Sequence, residues 1–257
     1  MSKNLVIYLN VFDDISKTAQ SVESIRRACH RWGANFYEVT NVQYPNAPYP
    51  FLWETLAAFE EFNHYDKILN LDHDIIINSN APNIFEELTD EYDFCAVRDG
   101  NPGGRFPHND GFLRDSIIKT ISHDQNCFDL FHSVLKNFNY EKYWQNYFNL
   151  GVYLFNPKKY NRLIKEIKQL AFDDKRVYQM LMGQGFPWHA LQNFFNAYIS
   201  SSDLKIKLID NTWNWIMPDI SEEYHDDFYL GKMKPNIYHF CGTPTSKEDL
   251  PFYDRWK

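Results

Sequence analysis

Lys67-Ile68-Leu69-Asn70-Leu71-Asp72-His73-Asp74-Ile75-Ile76-Ile77 is an apolar, strand-like run that delivers two carboxylates, interrupts itself and turns apolar again. Bare carboxylates inside such a run are costly to bury, so both charges require compensation. On an extended chain Asp72 and Asp74 fall on the same side, and a hard divalent cation with oxygen ligands is the simplest compensator. An Asp-x-Asp triplet taken alone also suits a solvated turn or a helix cap, so its meaning depends on what surrounds it.

Upstream, Asn4 to Leu9 is an apolar β-type run. An amphipathic helix follows from about Ser16 to Trp32, with Ala19, Val22, Ile25, Cys29 and Trp32 on one face, Ser16 as its cap and Gly33 as its stop. Asn35 to Thr40 reads as a strand, then a loop punctuated by Pro45, Pro48 and Pro50, then a helix from about Leu52 to Phe62. With Lys67 to Leu71 and Tyr92 to Val97 as further strands, the first hundred residues alternate strand and helix. That alternation predicts an α/β fold with a mainly parallel central sheet and helices on both faces, and a nucleotide site at the strand ends.

Downstream, the stretch from Asp99 to about Asp124 is rich in Gly, Pro and polar residues and reads as an active-site loop region. A helix is expected around Phe128 to Phe138, a strand from Leu150 to Phe155, and a helix from Pro157 to Leu170 that Asn156 caps with Pro157 at its first position. A last helix spans about Trp188 to Ile199.

Aromatic residues make up 18% of the 257 residues, enough either for a Phe-heavy core or for surfaces that stack on sugar and base rings, and only placement separates the two. The net charge of −8, with no basic run, argues against a nucleic-acid polymer as partner. No apolar stretch approaches the roughly 20 residues needed to cross a bilayer, and the start has no signal-peptide plan, so the expectation is a cytoplasmic protein. Cys29, Cys95, Cys127 and Cys241 are irregularly spaced with no C-x-x-C pair, which suits reduced thiols.

Four blocks carry a resemblance. Tyr65 through Ile77 resembles the segment of glycosyltransferase family 8 and related GT-A enzymes that ends a core strand in Asp-x-Asp. Asp93-Phe94-Cys95-Ala96-Val97-Arg98-Asp99 resembles the strand that follows it there, and Phe148-Asn149-Leu150-Gly151-Val152-Tyr153-Leu154-Phe155-Asn156 is similar to the family's F-N-x-G-V-x-x-x-N block. Trp213-Asn214-Trp215, then Ile237-Tyr238-His239-Phe240-Cys241-Gly242, resemble its closing segment with a metal-binding histidine.

The resemblance implies a single GT-A, Rossmann-like domain over residues 1–257, with 1–100 the nucleotide-binding part and 101–257 the acceptor and closing part. Asp72, Asp74 and His239 would coordinate Mn²⁺ or Mg²⁺. Asn149 would contact the donor sugar, Gly242 would bring backbone N–H groups near the phosphates, and Lys247 matches a phosphate-binding lysine at a spacing one residue longer than the family's. Asn10 and Phe12 stand where such enzymes hold uracil and ribose. The implied partners are a nucleotide-sugar donor, a UDP-sugar by resemblance, and a glycan-type acceptor.

Each of these residues has a plainer reading: a core histidine for His239, a turn for Asn149, a solvated surface lysine for Lys247, core packing for Trp213 and Trp215. The chain also departs from the family where an acidic-glutamine segment is expected, since Pro187-Trp188-His189-Ala190-Leu191-Gln192-Asn193 has no carboxylate. Inversion of the sugar's configuration therefore stands beside retention, with Asp110 or His189 as candidate general base. A binding protein on the same fold without turnover is the alternative outside catalysis. A nucleotidyltransferase or phosphohydrolase lacks its other parts, because no G-x-x-x-x-G-K-[ST] loop is present.

Overall fold

The computed structural model describes residues 3–10, 15–40, 61–99, 126–183, 187–216 and 234–240. Six strands form the main sheet in the order β2-β1-β3-β6-β5-β7, where β1 is Asn4–Leu9, β2 Asn35–Val39, β3 Lys67–Leu71, β5 Phe94–Arg98, β6 Phe148–Phe155 and β7 Ile206–Ile209. β1 runs parallel to both β2 and β3, and β5 runs parallel to β7, while β6 opposes both β3 and β5. The sheet is thus mainly parallel, as the alternating pattern predicts, with β6 as the one reversed strand among those described.

A second, three-stranded sheet has the order β4-β9-β8, with β4 Ile75–Ile77, β8 Trp215–Ile216 and β9 Ile237–His239. Residues 73 and 74 form a turn between β3 and β4. The apolar residues after the Asp triplet therefore do not continue the first strand; they start a new one in another sheet.

Side chains that alternate along each strand separate into two apolar clusters, one on each face. Leu5, Ile7 and Leu9 join Ile68, Phe94, Tyr153 and Phe155, whereas Val6 and Tyr8 join Leu69, Leu71, Cys95 and Leu154. Helix α1, Ile15–Trp32, covers the second face with Ile25, Ala28, Cys29 and Trp32 buried. It begins at Ile15, one residue ahead of Ser16, and Ala19 is exposed. Gly33 ends the helix at φ 64, a conformation that favours glycine.

On the other face lie α2, Asn126–Val134, α3, Tyr140–Gln145, α4, Pro157–Asp173, α5, Lys175–Gly183, and α6, Pro187–Ser201. Asn156 caps α4 by accepting from Lys158 N, with Pro157 in the first turn. Tyr160, Leu163, Ile164, Ile167 and Ala171 form its buried stripe. Cys29 and Cys95 are buried free thiols. Among the described residues, no helix is long and apolar enough to cross a membrane. The helix expected over Leu52 to Phe62 and the loop expected over Asp99 to Asp124 lie almost wholly outside the described residues.

Candidate active site

The turn after β3 and the pairing of β4 with β9 assemble the site. Ile75 lies opposite His239 in the antiparallel register, and Phe240 N donates to Asp74 O at 3.0 Å, so the histidine is fixed beside the second aspartate. Asp72 N donates to Gly151 O at 3.0 Å, and Tyr8 OH donates to His73 O at 2.7 Å, which pins both sides of the turn. One ligand atom from each of Asp72, Asp74 and His239 lies within 4.8 Å of the others. His239 Nε2 is 3.2 Å from Asp74 Oδ1 and 3.8 Å from Asp72 Oδ2.

The histidine's other nitrogen decides what Nε2 does. Nδ1 lies 2.9 Å from Asn214 Oδ1, while Asn214 Nδ2 donates to Asn149 Oδ1 at 3.0 Å. Asn149 Oδ1 also accepts from Gly151 N at 2.8 Å, so it is an oxygen, and Asn214 therefore presents its own oxygen to the imidazole. Nδ1 then carries the hydrogen, leaving the Nε2 lone pair facing the carboxylate oxygens. Asp74 Oδ1 is buried and accepts no well-formed hydrogen bond. Two electron pairs 3.2 Å apart in a buried place require a cation between them, a proton or a metal ion. Two carboxylates and an imidazole suit a divalent ion of the Mg²⁺ or Mn²⁺ type, and these residues fit one.

Acidity follows the same geometry. Burial pushes the Asp72 carboxyl up to about 6, with His239 working against it and the Asp74 charge adding to it. At Asp74 burial also works upward, but when a proton rather than a metal ion sits between the two groups the resulting His239 imidazolium outweighs it and holds the carboxyl well below the usual range.

Asn149 and Gly151 owe their placement to an irregularity in the sheet. Between the pairs Ala96↔Tyr153 and Arg98↔Phe148 the register of β5 and β6 shifts, so β6 spends extra residues there. A Cβ at Gly151 would stand 2.2 Å from His239 Cε1, so only glycine leaves room for the imidazole. From Asn149 the network runs on: Nδ2 donates to Asp99 Oδ1 at 3.1 Å, and Gln192 Nε2 donates to Asp99 Oδ2 at 3.0 Å. Asn196 clamps both the N–H and the carbonyl of Phe148 at 2.9 Å, docking α6 on the start of β6.

Of the residues singled out from sequence, the structure brings together Asp72, Asp74, His239 and Asn149. Asn10 stands at the same end of the sheet, just past β1. Phe12, Asp110, Gly242 and Lys247 lie outside the described residues, as does the side chain of His189, which falls in the first turn of α6. Trp213 and Trp215 are both buried, and Trp213 Nε1 donates to Glu87 Oε1 at 3.3 Å, so both are packing residues. Sequence reasoning gave no role to Asn214, Asp99 or Gln192. The signal for Asn214 was a polar residue between two tryptophans.

An α/β sheet with this cluster at its strand ends is the architecture of GT-A glycosyltransferases, and solved structures of that class share the fold. One is a glycosyltransferase involved in glycosylation of the major capsid of PBCV-1 (14% identity, TM-score 0.55, 99% of this chain and 98% of that one). Another is the galactosyltransferase LgtC, solved with donor and acceptor sugar analogues (15% identity, TM-score 0.54, 98% and 93%). A third is the bifunctional WbbM (15% identity, TM-score 0.60), where 99% of this chain spans 49% of that one. No curated protein matches in sequence. The profile of glycosyl transferase family 8 matches residues 9–247, and the chain belongs to that family. It is a glycosyltransferase.

Proposed function

We propose that the protein transfers a sugar from a nucleotide-sugar donor, a UDP-sugar, to a hydroxyl of a glycan-type acceptor, with Mn²⁺ or Mg²⁺ held by Asp72, Asp74 and His239. The observation that carries this reading is the convergence of the three side chains at the strand ends, with the Nε2 lone pair of His239 turned toward a buried carboxylate oxygen. A bound divalent cation supplies Lewis-acid stabilisation of the departing nucleoside diphosphate, worth several kcal/mol in general.

The chain's own residues do the rest in this reading. Asn214 orients His239, and Asn149, whose Nδ2 donates to Asp99, borders the cluster and is assigned the contact with the donor sugar in this reading. Lys247 and the amides near Gly242 offset phosphate charge. Asp110 or His189 takes the acceptor proton if configuration inverts. Residues 1–257 act as one domain, the first hundred holding the nucleotide and the remainder the acceptor.

A thermal-shift panel of UDP-, GDP-, CMP- and dTDP-sugars with and without Mn²⁺ tests the reading, because a ligand bound only by the native state raises the melting temperature. The expected result is a shift that needs both a UDP-sugar and the metal, together with slow donor hydrolysis. Absence of any shift would remove the donor site, and binding without hydrolysis or transfer would leave a sugar-nucleotide-binding protein on this fold.

A further inference from the structure

The hydrogen bonds that lead away from His239 all point one way. His239 Nδ1 donates to Asn214 Oδ1 at 2.9 Å, Asn214 Nδ2 donates to Asn149 Oδ1 at 3.0 Å, and Asn149 Nδ2 donates to Asp99 Oδ1 at 3.1 Å. Asn149, Asn214 and His239 are buried, so the sense of each bond is settled by its protein neighbours. A chain of amides can in principle run in either sense. Reversed, Asn149 would turn its oxygen toward residue 99 and its nitrogen toward Asn214, and Asn214 would turn its nitrogen toward the imidazole. The hydrogen of His239 would then move to Nε2, where it faces Asp74 and takes the place of a cation.

The far end of the chain opposes that reversal. Asp99 accepts at both oxygens, at Oδ1 from Asn149 and at Oδ2 from Gln192 Nε2 at 3.0 Å. Neither partner turns over without loss: Gln192 Oε1 accepts from Leu150 N at 3.3 Å, and Asn149 Oδ1 accepts from Gly151 N at 2.8 Å. A side chain that faces amide nitrogens on two sides must accept twice, which a carboxylate does. A carboxamide in its place would set nitrogen against nitrogen on one side. An ionised acceptor also makes the stronger bonds.

We propose that Asp99 is a positioning residue for the metal centre: its carboxylate sets the sense of the relay through Asn149 and Asn214, and so keeps the His239 hydrogen on Nδ1 and the Nε2 lone pair available to a cation. The inference rests on the metal-binding reading above and adds what holds the histidine in its ligating tautomer.

The test is a double-mutant cycle read by calorimetric titration of the full chain with Mn²⁺, alone and with UDP. Asp99→Asn keeps the size of the side chain and removes one acceptor. It is expected to weaken Mn²⁺ binding about tenfold, the lower end of what losing a ligand's hydrogen-bond partner costs. In Asn214→Ala the relay is already cut, so adding Asp99→Asn should change the affinity by less than about twofold. Equal losses in both backgrounds would mean that Asp99 acts through its charge alone and would overturn the proposal, as would lost stability with Mn²⁺ affinity intact. Electron-spin-echo spectra of the bound Mn²⁺ should show a coordinated imidazole nitrogen in the wild type and a weaker one in Asp99→Asn; an unchanged nitrogen signal also overturns the relay. If Asp99→Asn is not recovered folded, Asp99→Ala removes both acceptors and enters the same cycle. A wild type that binds no Mn²⁺, with or without UDP, overturns the metal-binding reading itself, whereas wild-type binding that Asp99 variants leave unaltered overturns this inference alone.

Discussion

The helix-covered face built on Phe94, Tyr153, Phe155 and Tyr160 and the strand-end edge built on Asp72, Asp74, Asn149, Asn214 and His239 lie a few residues apart along the same strands, yet different forces hold them. On the face, ring centroids sit 5.7 Å apart for Phe94 and Tyr153 and 4.5 Å apart for Phe155 and Tyr160, and every ring is buried. That packing is non-directional and roughly proportional to area. At the edge each side chain has a set orientation, because each hydrogen bond fixes which atom the next presents. Bulk decides the first region and direction the second, so the two should fail differently.

Removing a ligand should show the largest difference. Asp74→Ala is expected to abolish the Mn²⁺-dependent rise in melting temperature while the chain still folds, because the cation loses one of its three protein ligands. A variant that keeps the wild-type shift would return Asp74 to the structural residues. Phe94→Ala should do the reverse, costing about 3–5 kcal/mol in denaturant titration by leaving a cavity, with the Mn²⁺ affinity of the folded fraction unchanged. Asn214→Ala is subtler: the ring of His239 loses its orienting acceptor, and Mn²⁺ affinity measured by calorimetry should fall about 10–100-fold, the usual cost of losing such a partner. A fall in stability with no change in affinity would move Asn214 to the packing side of the comparison.

The smallest effect is one of pH. Asp72 is raised to about 6 from 3.8, so its ionised form is disfavoured in the cation-free fold, and that fold loses stability as pH rises between the two values. A cation reverses this preference. The Mn²⁺-induced melting shift should therefore hold above pH 6 and shrink as pH falls through about 6. A shift independent of pH between 5 and 7 would remove Asp72 from the ligand set.

The same contrast explains what was legible in the sequence. Period-two and helical patterning exposed β1, β3, β5, α1 and α4 within a few residues, since burial of area is written in residue type. The Asp72, Asp74 and His239 set came from a resemblance, and the register of β4 against β9 brings the three together. The interruption after Leu71 was legible, but not that the apolar run beyond it starts a strand of a second sheet, because the partner strand β9 lies far along the chain. Gly151 was legible only as part of the block that resembles the family. Its real constraint, the imidazole ring against its α-carbon, depends on a strand from the far end of the chain.

The pairing of β4 with β9 joins segments far apart in the chain, and closing so long a loop is entropically expensive and slow relative to local contacts. During synthesis, the two aspartates emerge long before the histidine that completes them. Until β9 docks, a nascent chain carries a repulsive carboxylate pair with no imidazole beside it, so β9, the last of the described strands, acts as a checkpoint: in the metal-binding reading, the three-residue ligand set exists only once the described strands before it have been made.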